Sequence, residues 1–286
     1  MANRIKCIFS VARTEYVKWI TNPRIIIMGV LLVFMRNLAV EPLLERADKF
    51  GEKLNAFEPF IAIGNSGMLV MLMPCVFLIL ISDYPKMTGN TLFFIKRTGK
   101  ANWFLGQILF ICMAITTFVM VVLFGGMLVS QGFSGLEWSN TVTKYSARFP
   151  MENGNFASQL IPSNLYNQLS LLSSVLQTAV LISLYLFLLS MVIYFFKLIH
   201  IQALGLLVAV FIVAGGAMTF SLNIDIMWAF PMANTLVWLH FREILSSDVF
   251  SLFYSYIYFF ISIVLMLFIN IIAVVKLQFF NIELVE

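Results

Sequence analysis

The chain is predicted to be an all-α integral membrane protein. We expect six transmembrane helices, an N-terminal amphipathic interfacial helix, and a short re-entrant or interfacial helical segment before the last span. Three observations predict this. Of the 286 residues, 61% are hydrophobic and only 11% charged, whereas soluble domains run at ~45–50% apolar and ~25% charged. Charge this sparse cannot cover the surface of a water-soluble body, which excludes a soluble enzyme, a nucleic-acid binder and a disordered chain. Several apolar runs reach the ~20 residues that a bilayer-spanning helix needs. The charged residues gather between those runs.

Residues 1–23 do not read as a cleaved signal, because charges interrupt them throughout and no compact apolar core precedes a small-residue cleavage site. Ile5, Ile8, Phe9, Ala12, Tyr16, Trp19 and Ile20 recur instead at three- and four-residue spacing, with Arg4, Lys6, Arg13 and Lys18 largely off that stripe. The pattern predicts an amphipathic helix in the membrane interface, ended by Asn22-Pro23; a soluble cytoplasmic helix is the alternative. The first span, 24–43, is short, and its apolar part stops at Arg36-Asn37. Arg36 lies near one end, where its long side chain reaches the interface.

Five runs meet the length standard well: 60–82, 104–130, 169–196, 198–222 and 250–275. The run 226–240 is too short to cross and contains Pro231 and Asn234, so it is expected to be re-entrant or interfacial. An even number of spans places both ends on one side. With both termini inside, the inner segments hold eleven bases and four acids, and the outer segments seven bases and ten acids. Lys and Arg favour the cytoplasm, so both termini are expected there. Seven spans with an outside C-terminus is the topological alternative. The rest of this single transmembrane domain comprises an inner loop at 83–103, an outer loop at 131–168 and a cytoplasmic tail at 276–286.

Cys7, Cys75 and Cys112 are far apart and lack metal-ligand spacing, and His200 and His240 stand alone. There is no G-x-x-x-x-G-K-[ST] and no G-x-S-x-G. We expect no catalytic residue, metal or cofactor on this chain. The interiors of the five strong spans also contain no Asp, Glu, Lys or Arg. Ion-coupled transporters usually carry such groups near the midplane. Uphill transport would therefore draw its energy from a partner. The polar residues left inside the spans are Asn65, Ser66, Thr116, Thr117, Gln107, Gln177, Thr178, Gln202 and Asn270. With Met68 and Met71, the residues Asn65, Ser66, Gln107, Gln177, Gln202 and Asn270 form the expected substrate path, because methionine repacks around varied apolar shapes.

The inner loop opens Ser82-Asp83-Tyr84-Pro85-Lys86-Met87-Thr88-Gly89-Asn90 and continues to Lys96-Arg97-Thr98-Gly99-Lys100. Asp83 before Pro85 is a helix-start combination, and a short helix there would offer a knob to a soluble protein. A loop whose bases only enforce topology is the plainer reading. The amphipathic helix ending in Asn22-Pro23-Arg24, the six spans, this loop with Trp103 after it, the tight hairpin at 197–200 and the broken segment before the last span together resemble the ABC-2 type permease family. The short first span with Arg36 departs from the pattern. That resemblance implies a plasma-membrane permease subunit, of a bacterial cell, that pairs with a second copy or paralogue and docks on separate ABC ATPase subunits carrying ATP and Mg2+. It places Asp83, Tyr84, Pro85, Lys86, Met87, Thr88, Gly89 and Asn90 in or beside a coupling helix, with Lys96, Arg97 and Lys100 at the adjoining membrane surface. The implied activity is export of a hydrophobic or amphipathic peptide, toxin or antimicrobial compound. An ion-driven transporter or channel, and a sensor or assembly subunit, are the alternatives.

Overall fold

The computed structural model describes residues 2–67, 69–86, 95–130, 132–133, 135–152, 154–242 and 248–276. Among these residues there is no strand, only two isolated bridges, Asn55 to Phe133 and Phe241 to Asp248. Five helical segments are long and apolar enough to cross a membrane, as in a multi-pass membrane protein: Pro23–Phe50, Lys100–Ser130, Leu171–Leu198, Gln202–Ser221 and Leu252–Lys276.

Helix α1 (Ala2–Ile20) forms as predicted. Its stripe divides between two faces. Ala12 and Trp19 are buried, joined by Val11 and Glu15 from outside the stripe, whereas Ile5 and Phe9 stay exposed. The buried face packs lengthwise on the first half of α6 (Lys100–Ser130). Arg4 Nε donates to Asn102 Oδ1 at 2.8 Å near one end, and the Tyr16 and Thr117 hydroxyls meet at 2.8 Å near the other. Gly106 makes the approach possible: a Cβ there would stand 2.6 Å from Val11 Cβ and 3.1 Å from Ile8 O.

The first apolar run extends beyond the expected 24–43. A single turn at Pro23–Ile25 leads into α2 (Ile26–Met35), a π-helical stretch at Arg36–Val40, and then α3 (Glu41–Phe50). Pro42 does not break the run, because it follows directly on the π-helical turn at Arg36–Val40, where the regular α-helical hydrogen-bond ladder is already interrupted. Gly51, at φ +84°, ends α3 in the left-handed conformation that glycine adopts without penalty. The exposed Arg36 therefore sits within a helical run and pairs with Glu41 at 3.6 Å.

The expected span 60–82 is two pieces, α4 (Glu58–Asn65) and α5 (Leu72–Ile81). Ser66 is extended (φ −69°, ψ 124°), and the backbone turns before α5 begins. Helix α7 (Leu171–Leu198) is the central column, packed against α4, α5, α6 and α8 (Gln202–Ser221). It also meets α9 (Pro231–Thr235) and α10 (Leu252–Lys276). Between α8 and α10 the described residues form short helical pieces at Asp225–Ala229, Pro231–Thr235 and Val237–His240.

The two ends of this bundle differ. Arg24, Ser82–Lys86, Lys96–Lys100, Lys197 and Lys276 gather at one, the basic end. Over the other folds the segment 132–167, whose described residues form short helices at Asn140–Thr143, Tyr145–Arg148, Phe156–Leu160 and Ser163–Tyr166. Its attachment begins at Glu58, a wholly buried carboxylate. Glu58 accepts from Asn55 N (2.9 Å), Ser139 N (2.8 Å) and Ser139 Oγ (3.0 Å). A buried charge needs such donors to be tolerable.

Gly106→Val is expected to force α1 off α6, at about 1–3 kcal/mol for overpacking a tight contact. The expected readout is a lower midpoint of thermal unfolding in detergent and faster tryptic cleavage at Arg13. Gly29→Ala is the control, since a Cβ at Gly29 meets nothing within 4 Å.

Candidate functional site

The break between α4 and α5 exposes backbone groups inside an apolar bundle, where an unpaired group costs several kcal/mol. Asn65, the last residue of α4, takes over. Its Nδ2 donates to Ile61 O (3.1 Å) and Thr178 Oγ1 on α7 (2.7 Å), and its Oδ1 accepts from Val237 N (3.0 Å). Trp238 Nε1 donates to the Asn65 carbonyl at 2.6 Å. The break in 60–82 thus sits against the interrupted segment 225–240. Gly64 lets α4 press this close to α7, since a Cβ there would lie 2.4 Å from Thr178 Cγ2.

A second asparagine organises 225–240. Asn234 Nδ2 donates to Trp228 O (2.8 Å) and Phe230 O (3.0 Å). The Ser255 hydroxyl of α10 lies between Asn234 Oδ1 (2.8 Å) and His240 Nε2 (2.7 Å). His240 Nδ1 faces Leu236 O at 3.0 Å. Every side chain in this chain of contacts is buried. Asn164 of the cap donates to Trp238 O (2.8 Å) and Phe241 O (3.2 Å) from above. A cavity of about 580 Å3 opens beside the junction, lined in part by Ser66, Gly67, Asn164, Phe220 and Trp238. Two discontinuous helical segments meeting at one polar point next to a cavity is an arrangement that membrane transporters use to hold cargo.

Of the predicted path residues, Asn65 and Ser66 lie at this junction, and Met71 is half-buried where the chain turns back into α5. Met68 lies outside the described residues. The others fall elsewhere. Gln177 accepts from the Tyr256 hydroxyl on α10. Asn270 donates to Met191 O (3.2 Å) and Met266 O (2.8 Å). Gln177 and Met191 are separated by about 21 Å of α7 at 1.5 Å per residue, so Gln177 and Asn270 line no common site. Gln107 is buried in α6, and neither polar atom of its side-chain amide has a hydrogen-bond partner among the described residues. Gln202 is exposed at the start of α8. Thr178, Asn234 and His240 stood out in the sequence but were not placed in the path, and Ser255 and Asn164 were missed.

The basic end has its own knot. Asp83 does not cap a helix at Pro85, because Pro85 and Lys86 are non-helical. Its carboxylate is taken instead by Arg24, at 2.7 Å. Tyr84 is buried, its hydroxyl donating to Lys18 O (2.9 Å) and its ring 5.4 Å from that of Phe110. Lys197 Nζ donates to Ser82 O at 3.2 Å. Met87, Thr88, Gly89 and Asn90 lie outside the described residues. Lys96 and Arg97 are exposed, and Lys100 Nζ donates to Val275 O at 3.0 Å. Among the described residues no cluster of His, Cys, Asp and Glu is able to hold a metal.

No protein-family model matches the chain, and neither a curated protein nor a solved structure matches it.

Asn65→Ala is expected to leave the Val237 N–H and the Thr178 hydroxyl unpaired and to cost about 1–3 kcal/mol, read as a lower unfolding midpoint, with Asn65→Asp no better at replacing the lost donor. A pH dependence is expected at the cap. Glu152 accepts from Tyr145 (2.7 Å) and Lys49 (3.0 Å), and these bonds hold its carboxyl below the ordinary value of 4.5. A carboxyl held low contributes stability above its ordinary value, and that contribution disappears as pH falls through the lower folded value. Proteolysis of the cap should accelerate on acidification in that window, and Glu152→Gln should make cleavage faster at neutral pH and less sensitive to acid.

Proposed function

We propose that this chain is the permease subunit of an ATP-driven exporter of the ABC-2 type, moving a hydrophobic or amphipathic substrate while a separate ATPase subunit binds ATP and Mg2+. In this reading α4 and α5 together make the second of six crossings, 225–240 is re-entrant, and the basic end is cytoplasmic. Substrate passes beside the junction of Asn65 with 225–240, where backbone irregularity and a cavity coincide.

The observation that carries the proposal is how Ser82–Tyr84 is tied down. This short stretch follows α5 and is bonded to three other parts of the bundle: to α1 through Tyr84 and Lys18 O, to the head of α2 through Asp83 and Arg24, and to α7 through Lys197 and Ser82 O. A push on the loop that follows would reach α1, α2 and the central column together. That is the mechanical input needed by a bundle whose five strong apolar runs hold no ionisable carboxylate or amine. Asp83 and Tyr84 then act as internal linkages, while the exposed Lys96 and Arg97 are the groups free to meet a soluble partner.

The test is reconstitution of the chain in sealed vesicles, with and without the ABC ATPase that co-purifies with it. Nucleotide-dependent movement of an amphipathic substrate is expected only with the ATPase. Uphill accumulation by the chain alone, following an ion gradient, would overturn the proposal. Lys96→Glu with Arg97→Glu is expected to reduce ATPase capture at least tenfold and leave stability within about 0.5 kcal/mol, the usual range for surface substitutions. Asp83→Ala should instead preserve capture and uncouple hydrolysis from transport.

A further inference from the structure

We infer that the cavity under the 132–167 cap binds an amphiphile by its oxyanion head, a carboxylate or phosphate, with Arg46 as the counter-charge. The site is argued from the cavity alone and does not depend on how the chain is powered.

Arg46 lines the cavity from α3, across from Ser66 and Gly67 at the helix break. It is only 8% exposed, and its Nη2 is buried with no hydrogen-bond partner. A guanidinium stays charged at any physiological pH, and buried charges are ordinarily paired. Among the described residues Arg46 takes part in no ion pair. Its guanidinium carbon lies 4.5 Å over the ring of Tyr145, a contact that orients the cation without neutralising it. Glu152 attracts Arg46 through space but is not in contact with it, since its oxygens accept from the Tyr145 hydroxyl and the Lys49 ammonium. A buried guanidinium that lines a cavity with no carboxylate of the described residues at ion-pair distance is matched by the forked oxygens of a carboxylate or phosphate.

The rest of the lining defines what is attached to that head. Phe220 and Trp238 stand edge to face, 6.2 Å apart, and Val142 and Ile161 complete an apolar wall. The volume, about 580 Å3, lies within the ~300–1,000 Å3 of small-molecule sites. A folded peptide does not fit, whereas one charged end of an amphiphile with several carbons behind it does. Asn164 has no amide donor to spare, both its bonds being spent on the Trp238 and Phe241 carbonyls, which leaves Arg46 as the group that sets the charge of the ligand.

The test uses the full chain in phosphatidylcholine nanodiscs and tryptophan fluorescence, since Trp238 lines the cavity. The probes are 12-bromododecanoate and 12-bromododecyl phosphate, whose bromine quenches indole at contact, with the matching trimethylammonium amphiphile as cationic control. Saturable quenching by both anions, lost in Trp238→Phe and absent with the cation, is expected. Arg46→Gln should weaken anion binding at least tenfold. Gln159→Glu, at the exposed rim, should weaken it severalfold at the cost of only one long, exposed hydrogen bond to Gly154 O, which keeps the test decisive if Arg46→Gln does not fold. Displacement of the probes by inorganic phosphate alone would overturn the requirement for an apolar tail. Equal quenching by anion and cation, or unchanged affinity in the folded variants, would overturn the site.

Discussion

A helix interrupted inside an apolar bundle survives only if side chains take over the hydrogen bonds that its backbone gives up, and Asn65 does this for both interrupted segments at once. Its amide donates within α4 and to α7 while its oxygen receives the backbone of 225–240, and Trp238 returns a bond to its carbonyl. The position of α4 on the central column, the path of 225–240 and the gap at Ser66–Gly67 all follow from that meeting. The cavity is the space left where the chain steps out of helical line and the cap closes over it.

The two ends of the bundle use polar chemistry in different ways. At the capped end the charges are mostly inward tethers: Glu58 holds the start of the cap, and Glu152 links Lys49 to Tyr145. At the basic end they join separate helices across the chain's connections, as with Arg24 and Asp83. Between the two ends, α7 touches α4, α5, α6, α8, α9 and α10. Under the proposed function a displacement at the basic end arrives at the Asn65 junction through this column, because Thr178 and Lys197 belong to the same helix.

Much of the architecture was legible in the amino-acid order. Apolar runs of sufficient length mark four of the five long helices outright, and the spacing of Ala12, Tyr16 and Trp19 with their neighbours marks α1. The long helical course of 23–50 was hidden because the apolar part stops at Arg36-Asn37 and charges follow through 41–49, although Gly51 is a proper helix stop. The interruption of 60–82 was hidden for the opposite reason. Asn65, Ser66 and Gly67 are small or neutral, and no hydropathy average registers them, yet they sit where α4 ends. The site was half legible: Asn65 and Ser66 stood out as weak polarity in an apolar run, while Arg46, one of the seven outer bases, gave no sign of burial.

By itself, then, the order of residues determined that the chain is helical, apolar and asymmetric in charge, since these are sums over local composition and a helix closes its own hydrogen bonds. Which polar groups meet was decided by the tertiary structure alone. Asn65 with Val237, Glu58 with Ser139 and Arg46 with an empty volume are pairings between distant segments. They arise because α7 brings the segments side by side, and a buried polar group must then be satisfied by whatever that packing places within reach.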